Sequence, residues 1–202
     1  MPPSSGPPEG GQPAPRLILA SASPRRRELI ARLGLVPVDI RAADIDETPR
    51  PREVPRDYAR RMAREKALAV PGEGAHVLAG DTVVAAGRRI LPKTEDAATA
   101  RQCLALLSGR RHRVLSAIAL KAPDGSLHER LSETIVRFKP LSQAEIADYI
   151  ASGEWAGKAG GYAIQGAAEG LIAWISGSHS GVVGLPLFET RALLKAAGFA
   201  IG

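Results

Sequence analysis

The chain contains a single cysteine, Cys103, among 202 residues. That excludes an intrachain disulfide and any metal site built on several thiolates. Its four histidines are scattered without ligand spacing, and His128-Glu129 stands alone rather than inside an H-E-x-x-H pair. Aromatics make up only 4% of the residues, few for a groove that stacks nucleic-acid bases. No apolar run approaches the length of about 18 residues that a membrane span needs. The N-terminal stretch has no basic segment leading into an apolar core, which argues against a secretory signal and for a cytoplasmic protein. A P-loop is also missing: Gly153 to Gly157-Lys158 is one residue short and is followed by Ala159. No G-x-G-x-x-G follows a strand pattern. In Gly177-Ser178-His179-Ser180-Gly181 a histidine stands where a nucleophile elbow needs its serine.

What remains is a globular composition, 45% hydrophobic and 24% charged, with a net charge of +6. A chain of this length buries a real core as a single domain. The excess positive charge sits in short clusters (Arg25–Arg27, Arg60–Arg61, Arg110–Arg111). Such clusters are either solvated helix faces or contacts for an anionic partner: nucleic acid, a nucleotide or an acidic surface. Residues 1–15 hold six prolines, three glycines and one charge, a composition that predicts a disordered extension. Residues 16–202 then form the folded domain. Cys103, in an apolar helical pattern with Leu104 and Leu107, is expected in the core.

The chain is organised around Leu17–Gly34. Leu17-Ile18-Leu19-Ala20 reads as a short buried strand. Ser21-Ala22-Ser23 forms a turn, Ser23 and Pro24 open a helix, and Gly34 closes it. Arg25, Arg26 and Arg27 crowd the first turn, where the helix dipole is already positive. Hydroxyls, backbone N–H groups and guanidinium groups meeting there fit either a bound phosphate or an ordinary basic helix start. A strand is expected over Val36–Ile40, followed by an acidic loop carrying Asp44, Asp46 and Glu47. Pro55 opens a helix to about Val70 whose apolar stripe runs Tyr58, Met62, Lys66, Ala69. Lys66 on that line either snorkels or reaches an anion at the core edge.

Asp81 and Thr82 interrupt an apolar strand directly after Gly80. A carboxylate there is costly unless paired or metal-bound, which favours a functional role. Gly87-Arg88-Arg89 reads as a hairpin turn into Ile90–Lys93, and Thr94 as the cap of the next helix, closed by Gly109. Two antiparallel strands follow over about His112–Lys121 and Leu127–Phe138, joined at Pro123-Asp124-Gly125. Ser142 to Glu145 is a capping box for a helix that stops at Gly153. The glycine-rich stretch 153–170 reads as a functional loop. Within it Gln165 either offers an amide to a base edge or is simply solvated. A strand at Leu171–Ile175, a turn at Gly177–Gly181 and a helix from Pro186 to Gly198 complete a mixed α/β pattern. Any metal would be a hard cation, Mg²⁺ or Mn²⁺, on carboxylates and phosphate oxygens.

Five stretches in order resemble the Maf family of nucleotide pyrophosphatases: Ala20–Arg26, Arg64–Ala67, Gly80–Val83, Tyr162–Gly166 and Val182–Pro186. The resemblance spans about Leu17 to Gly198. It implies an elongated mixed β-sheet flanked by helices, with two lobes around a central cleft, similar to the inosine triphosphatases. It also implies hydrolysis of a nucleoside triphosphate to the monophosphate and pyrophosphate with a divalent cation, by a homodimer. Arg25, Thr82 and Gln165 resemble the dTTP and UTP branch; the sister branch acting on 7-methylguanosine triphosphate differs at the Arg25 position. Asp81 matches the family's catalytic aspartate and, with Glu47, its metal-side carboxylates. Ser21, Ser23, Arg25, Arg26, Lys66 and Lys93 match its triphosphate contacts. Two departures stand out: Ala43-Asp44 is unusual, and Lys93-Thr94 replaces the common Lys-Pro, which predicts a looser backbone at Lys93. The family also carries a septum-formation label, so a nucleic-acid-binding or cell-division role without turnover is the alternative. The low aromatic content disfavours it, as do Asp81 and Glu47, which would repel phosphate without a metal.

Overall fold

The computed structural model describes residues 14–202, so the extension expected to be disordered over 1–15 lies outside them except for Ala14 and Pro15. The apolar runs become strands β1 (Leu17–Ala20), β2 (Asp39–Ile40), β3 (His76–Ala86), β4 (Arg89–Leu91), β5 (Arg111–Lys121), β6 (Leu127–Phe138) and β7 (Ile172–Ser176). They form one seven-stranded mixed sheet in the order β2-β1-β3-β5-β6-β7, with β4 paired to β3. β1 runs parallel to both β2 and β3, and every other pairing is antiparallel. The helices are α1 (Pro24–Ala31), α2 (Pro55–Ala69), α3 (Ala97–Leu107), α4 (Gln143–Ala151), α5 (His179–Val183) and α6 (Leu187–Ala196).

Side chains alternate across the strands and sort the core into faces. Ile18, Ala20, Val77, Ala79, Val83, Leu115, Ala117 and Ala119 pack against Tyr58, Ala59, Met62, Ala63 and Ala67 of α2. The opposite face carries two separate clusters. Leu17, Leu19, Leu78, Ile118 and Leu120 meet Leu29 and Ile30 of α1 and Leu193 and Leu194 of α6. Farther along the strands, Val84, Val114 and Val136 meet Cys103, Leu104 and Leu107 of α3 and Ile146 and Tyr149 of α4. Between these clusters lies a polar belt, Thr82–Ser116–Ser132, in register across β3, β5 and β6. The Thr82 and Ser116 hydroxyls lie 3.1 Å apart, and Ser116 Oγ donates to the Gly181 carbonyl of α5. Thr134 accepts from Ser178 N at 2.9 Å, tying the start of α5 to the same sheet face. The belt is where one face stops being core.

Several local expectations change. Pairing at the sheet edge is confined to Asp39–Ile40, because Pro37 supplies no N–H and β1 is only four residues long. Val36 and Val38 stay exposed. The stripe of α2 ends in Val70, not Ala69: extended backbone at Val70 (φ −92°, ψ 124°) swings that side chain into the core. Ser23 is the N-cap of α1, but its hydroxyl makes no capping hydrogen bond. Asp96, not Thr94, caps α3, its carboxylate accepting from Thr99 N at 2.7 Å. Thr94 instead turns inward and is fully buried. The expected turn at 177–181 is a turn only at its start, because Ser178 accepts from Gly181 N and opens α5. The capping box at Ser142 and Glu145 and the burial of Cys103 match expectation.

His112 sits in the cluster beneath the glycine-rich loop, 2.7 Å from the Tyr162 hydroxyl and stacked on Phe138. Burial pushes its imidazole down to about 4. The folded state therefore holds it neutral while the unfolded state binds a proton below the ordinary value of about 6.5. Stability supplied by this site is complete above that value and is lost as pH falls towards 4. Urea denaturation from pH 7 to 4 should show this acid limb. His112 C–H resonances should stay at their neutral positions until about pH 4.

Candidate functional site

A cleft of about 360 Å³ opens beside Thr82 of the polar belt. Ser21, Ser23, Arg25, Arg26, Glu47, Lys66, Asp81, Thr82, Lys93 and Gln165 all line it, so the residues that match the family's site positions converge there, while Asp44 and Asp46 do not. The elements that deliver them are the β1–α1 turn, the acidic loop, α2, β3, the end of β4 and the glycine-rich loop.

At its floor Lys66 lies on the apolar face of α2 and is 7% exposed, too deep to snorkel. Its ammonium donates to Asp81 Oδ1 at 2.7 Å and lies 3.0 Å from Glu47 Oε1. Asp81, 5% exposed, thus finds the partner its burial demands. Glu47 Oε2 in turn accepts from Lys93 at 3.0 Å. The acidic loop alternates: Ala43 and Ile45 pack on the α2 cluster, Asp44 and Asp46 face outward, and Glu47 turns inward. Tyr58 holds this loop by donating its hydroxyl to the Glu47 carbonyl at 2.7 Å. Partial burial alone would raise the Glu47 carboxyl, but the hydrogen bonds from Lys93 and Lys66 outweigh it and hold the group below its ordinary value.

On the facing side Ser21 Oγ accepts from Ser23 N at 3.1 Å and from Arg26 Nη1 at 3.2 Å. Arg26 Nε donates to the Gly184 carbonyl at 2.8 Å, and Arg25 Nε to the Val183 carbonyl at 3.2 Å. Arg26 passes close to Gly80: a Cβ there would touch Arg26 Nε at an ordinary 3.5 Å and press on the Ala117 carbonyl at 3.3 Å. Burial pushes both guanidinium groups below their ordinary value, with Asp81 opposing the shift at Arg26. They remain cations that hydrogen-bond only neutral protein groups.

Sequence reasoning missed Lys158. In the sequence it is only the end of a failed P-loop, yet it lines the cleft and donates to its own loop at the Ala156 carbonyl. Desolvation, then the charge of Arg25, pushes it below its ordinary value. The available signal was one lysine among glycines, of which Gly157, Gly160 and Gly161 adopt positive φ. Gln165, flanked by buried Ile164, is exposed and lines the cleft with no protein hydrogen bond from its amide among the described residues. The cleft thus sets five cations (Arg25, Arg26, Lys66, Lys93, Lys158) against two carboxylates. That balance suits a polyanion.

No cluster of three or more metal-ligating side chains occurs among the described residues. An all-protein cage is therefore not the arrangement. Glu47 and Asp81 are hard oxygen donors on one cleft wall. They suit a small divalent cation that takes one or two carboxylates and completes its shell with ligand phosphates and water.

The profile described as Maf-like protein matches residues 16–197. The chain is 68% identical over 186 residues to a dTTP/UTP pyrophosphatase of Novosphingobium aromaticivorans, covering 91% of this chain and 92% of that one. It is 63% identical over 188 residues to a dTTP/UTP pyrophosphatase of Rhodospirillum rubrum, covering 92% and 90%. Among solved structures, a nucleoside-triphosphatase (dITP/XTP pyrophosphatase) of Mycobacterium abscessus overlaps with a TM-score of 0.40 at 21% identity, covering 61% of this chain and 72% of that one. The family match runs from the residue before β1 to the residue after α6 and takes in every predicted site residue. This chain belongs to the Maf-like protein family.

Proposed function

We propose that this protein hydrolyses dTTP and UTP to the monophosphate and pyrophosphate, clearing them from the nucleotide pool. The observation that carries the proposal is one cleft in which five cations surround a buried, lysine-paired aspartate. The names of relatives at 68% and 63% identity support it and supply the substrate class. On the family resemblance alone, the proposal extends to a homodimer working in the cytoplasm.

Water attacks the α-phosphorus in line. The new O–P bond forms as the bond to the bridging oxygen of the β-phosphate breaks, and pyrophosphate leaves with that electron pair. Asp81 orients the water and takes its proton, its Oδ1 fixed by Lys66. Glu47 and Asp81 would hold Mg²⁺ or Mn²⁺, whose chemistry there is to offset charge on phosphoryl oxygens. Ser21, Ser23, Arg25, Arg26, Lys66, Lys93 and Lys158 face the triphosphate and counter the charge developing on the leaving group. Thr82 and Gln165, with Arg25, read the pyrimidine. A nucleic-acid or septum-formation role without turnover gains no comparable support: among the described residues Tyr162 is the one aromatic lining the cleft, and it is buried.

Pyrophosphate release should occur with dTTP and UTP in a panel of canonical triphosphates and should need a divalent cation. Asp81→Asn keeps an acceptor for Lys66, so it should fold normally and lose about 10²–10⁴-fold in kcat, the usual worth of a general base. Near-normal turnover in that variant would remove Asp81 from the chemistry.

Gln165→Ala should lower the preference for dTTP over purine triphosphates by about tenfold, the worth of one hydrogen bond to a base edge, with kcat on dTTP less affected. Equal losses on every substrate would make Gln165 structural.

A further inference from the structure

We infer that Thr94 is a positioning residue that welds the end of β4 to the glycine-rich loop, making Lys93, Lys158 and Gln165 one wall of the cleft. The inference rests on the proposed reaction only for its kinetic readout. Thr94 is fully buried although its residue type is polar, and all of its polar atoms are spent on that loop. Its hydroxyl donates to the Trp155 carbonyl at 2.7 Å and sits 3.2 Å from the Lys158 carbonyl. Its N–H donates to the Lys158 carbonyl at 3.1 Å, and its carbonyl accepts from Gly157 N at 2.8 Å.

On either side, Gly160 N donates to the Pro92 carbonyl at 3.0 Å, and Lys93 bridges Ala159 in antiparallel fashion. The methyl of Thr94 faces Gly161, where an added Cβ would approach it to 3.3 Å. The backbone beside Lys93 is therefore tightened by Thr94, against the looser geometry expected from the sequence. A proline at this position would supply neither the N–H nor the hydroxyl.

Lys93 reaches Glu47 and so belongs to the anion side of the cleft. Lys158 and Gln165 belong to the loop. Thr94 fixes the distance between the two sides without touching a ligand itself, since it does not line the cleft.

The test uses the full chain and the variants Thr94→Val and Thr94→Ser, followed by amide hydrogen exchange and by steady-state kinetics on dTTP. Thr94→Val keeps volume and N–H but loses the hydroxyl. It should speed exchange at Gly157 and Gly160 about tenfold, the equivalent of one hydrogen bond. It should also raise KM about fivefold with kcat within about twofold, because a displaced wall weakens binding more than chemistry. Thr94→Ser restores the hydroxyl and should return both readouts to wild-type values. Unchanged exchange and KM in Thr94→Val, or failure of serine to rescue, would overturn the inference.

If Thr94→Val does not fold, the wild-type exchange pattern decides. Gly157 and Gly160 protected like amides of β3 support the weld, and exchange as fast as at exposed Gly74 rejects it. If the wild type hydrolyses no nucleotide, the proposed reaction fails, and the exchange data alone decide the role of Thr94.

Discussion

The Lys66 ammonium is the point on which the cleft depends. Asp81 is placed in the middle of an apolar strand, and burying a carboxylate there without a partner would be prohibitive. Lys66 meets that demand from the apolar face of α2 and reaches Glu47 with the same group. One cation therefore joins a helix, the central strand and the acidic loop. Breaking such a buried pair by deleting one partner typically costs about 3–5 kcal/mol, whereas an apolar replacement of both is often neutral. Stability alone does not require this arrangement. It fixes carboxylate oxygens at one wall of the cleft.

The position of the cleft follows from how the sheet face is filled. Leu78 and Val84 of β3 lie on the same face and serve two different clusters, one built with α1 and α6 and the other with α3 and α4. Between them Gly80 and Thr82 present little bulk, and Ser116 and Ser132 continue the polar belt on the next strands. Apolar packing cannot close over such a belt, because its hydroxyls need partners. For Thr82 and Ser116 those partners are backbone carbonyls of the segment running into and past α5, with Arg25 and Arg26 bound to the same segment. The opening lies at the edge of β3 between the end of β1 and the start of the β4 pairing, with Thr82 on one side, Asp81 and Lys66 on the α2 side, and guanidinium groups at the rim.

Charge in this cleft is divided unevenly. Lys66 and Lys93 are bridged by Asp81 and Glu47, while Arg25, Arg26 and Lys158 donate only to neutral oxygens. Cations partly withdrawn from water without a hydrogen-bonded counter-charge are held at a cost that an anionic ligand relieves. That is why burial lowers all three from their ordinary values, and why the favoured occupant is a polyphosphate rather than a neutral metabolite.

By itself the sequence determined the strand–turn–helix at Leu17–Gly34, the two long antiparallel strands, the capping box at Ser142 and the suspicion attached to Asp81. Each depends on spacing, periodicity or a polar residue in an apolar run, all of which are local. It also marked Lys66, because a charge on an apolar helix stripe breaks the pattern. Only the tertiary structure decided what those charges do. Lys66 does not snorkel: it pairs with two carboxylates at sequence distances no spacing rule reaches. Thr94 looked like a helix cap from its neighbours and became a buried tie to residues some sixty positions later. Lys158 carried no motif and enters the cleft only because the glycine-rich loop folds back along β4. Local chemistry fixes which elements form; which side chains face one another is set by long-range pairing and by the need of buried polar groups for partners.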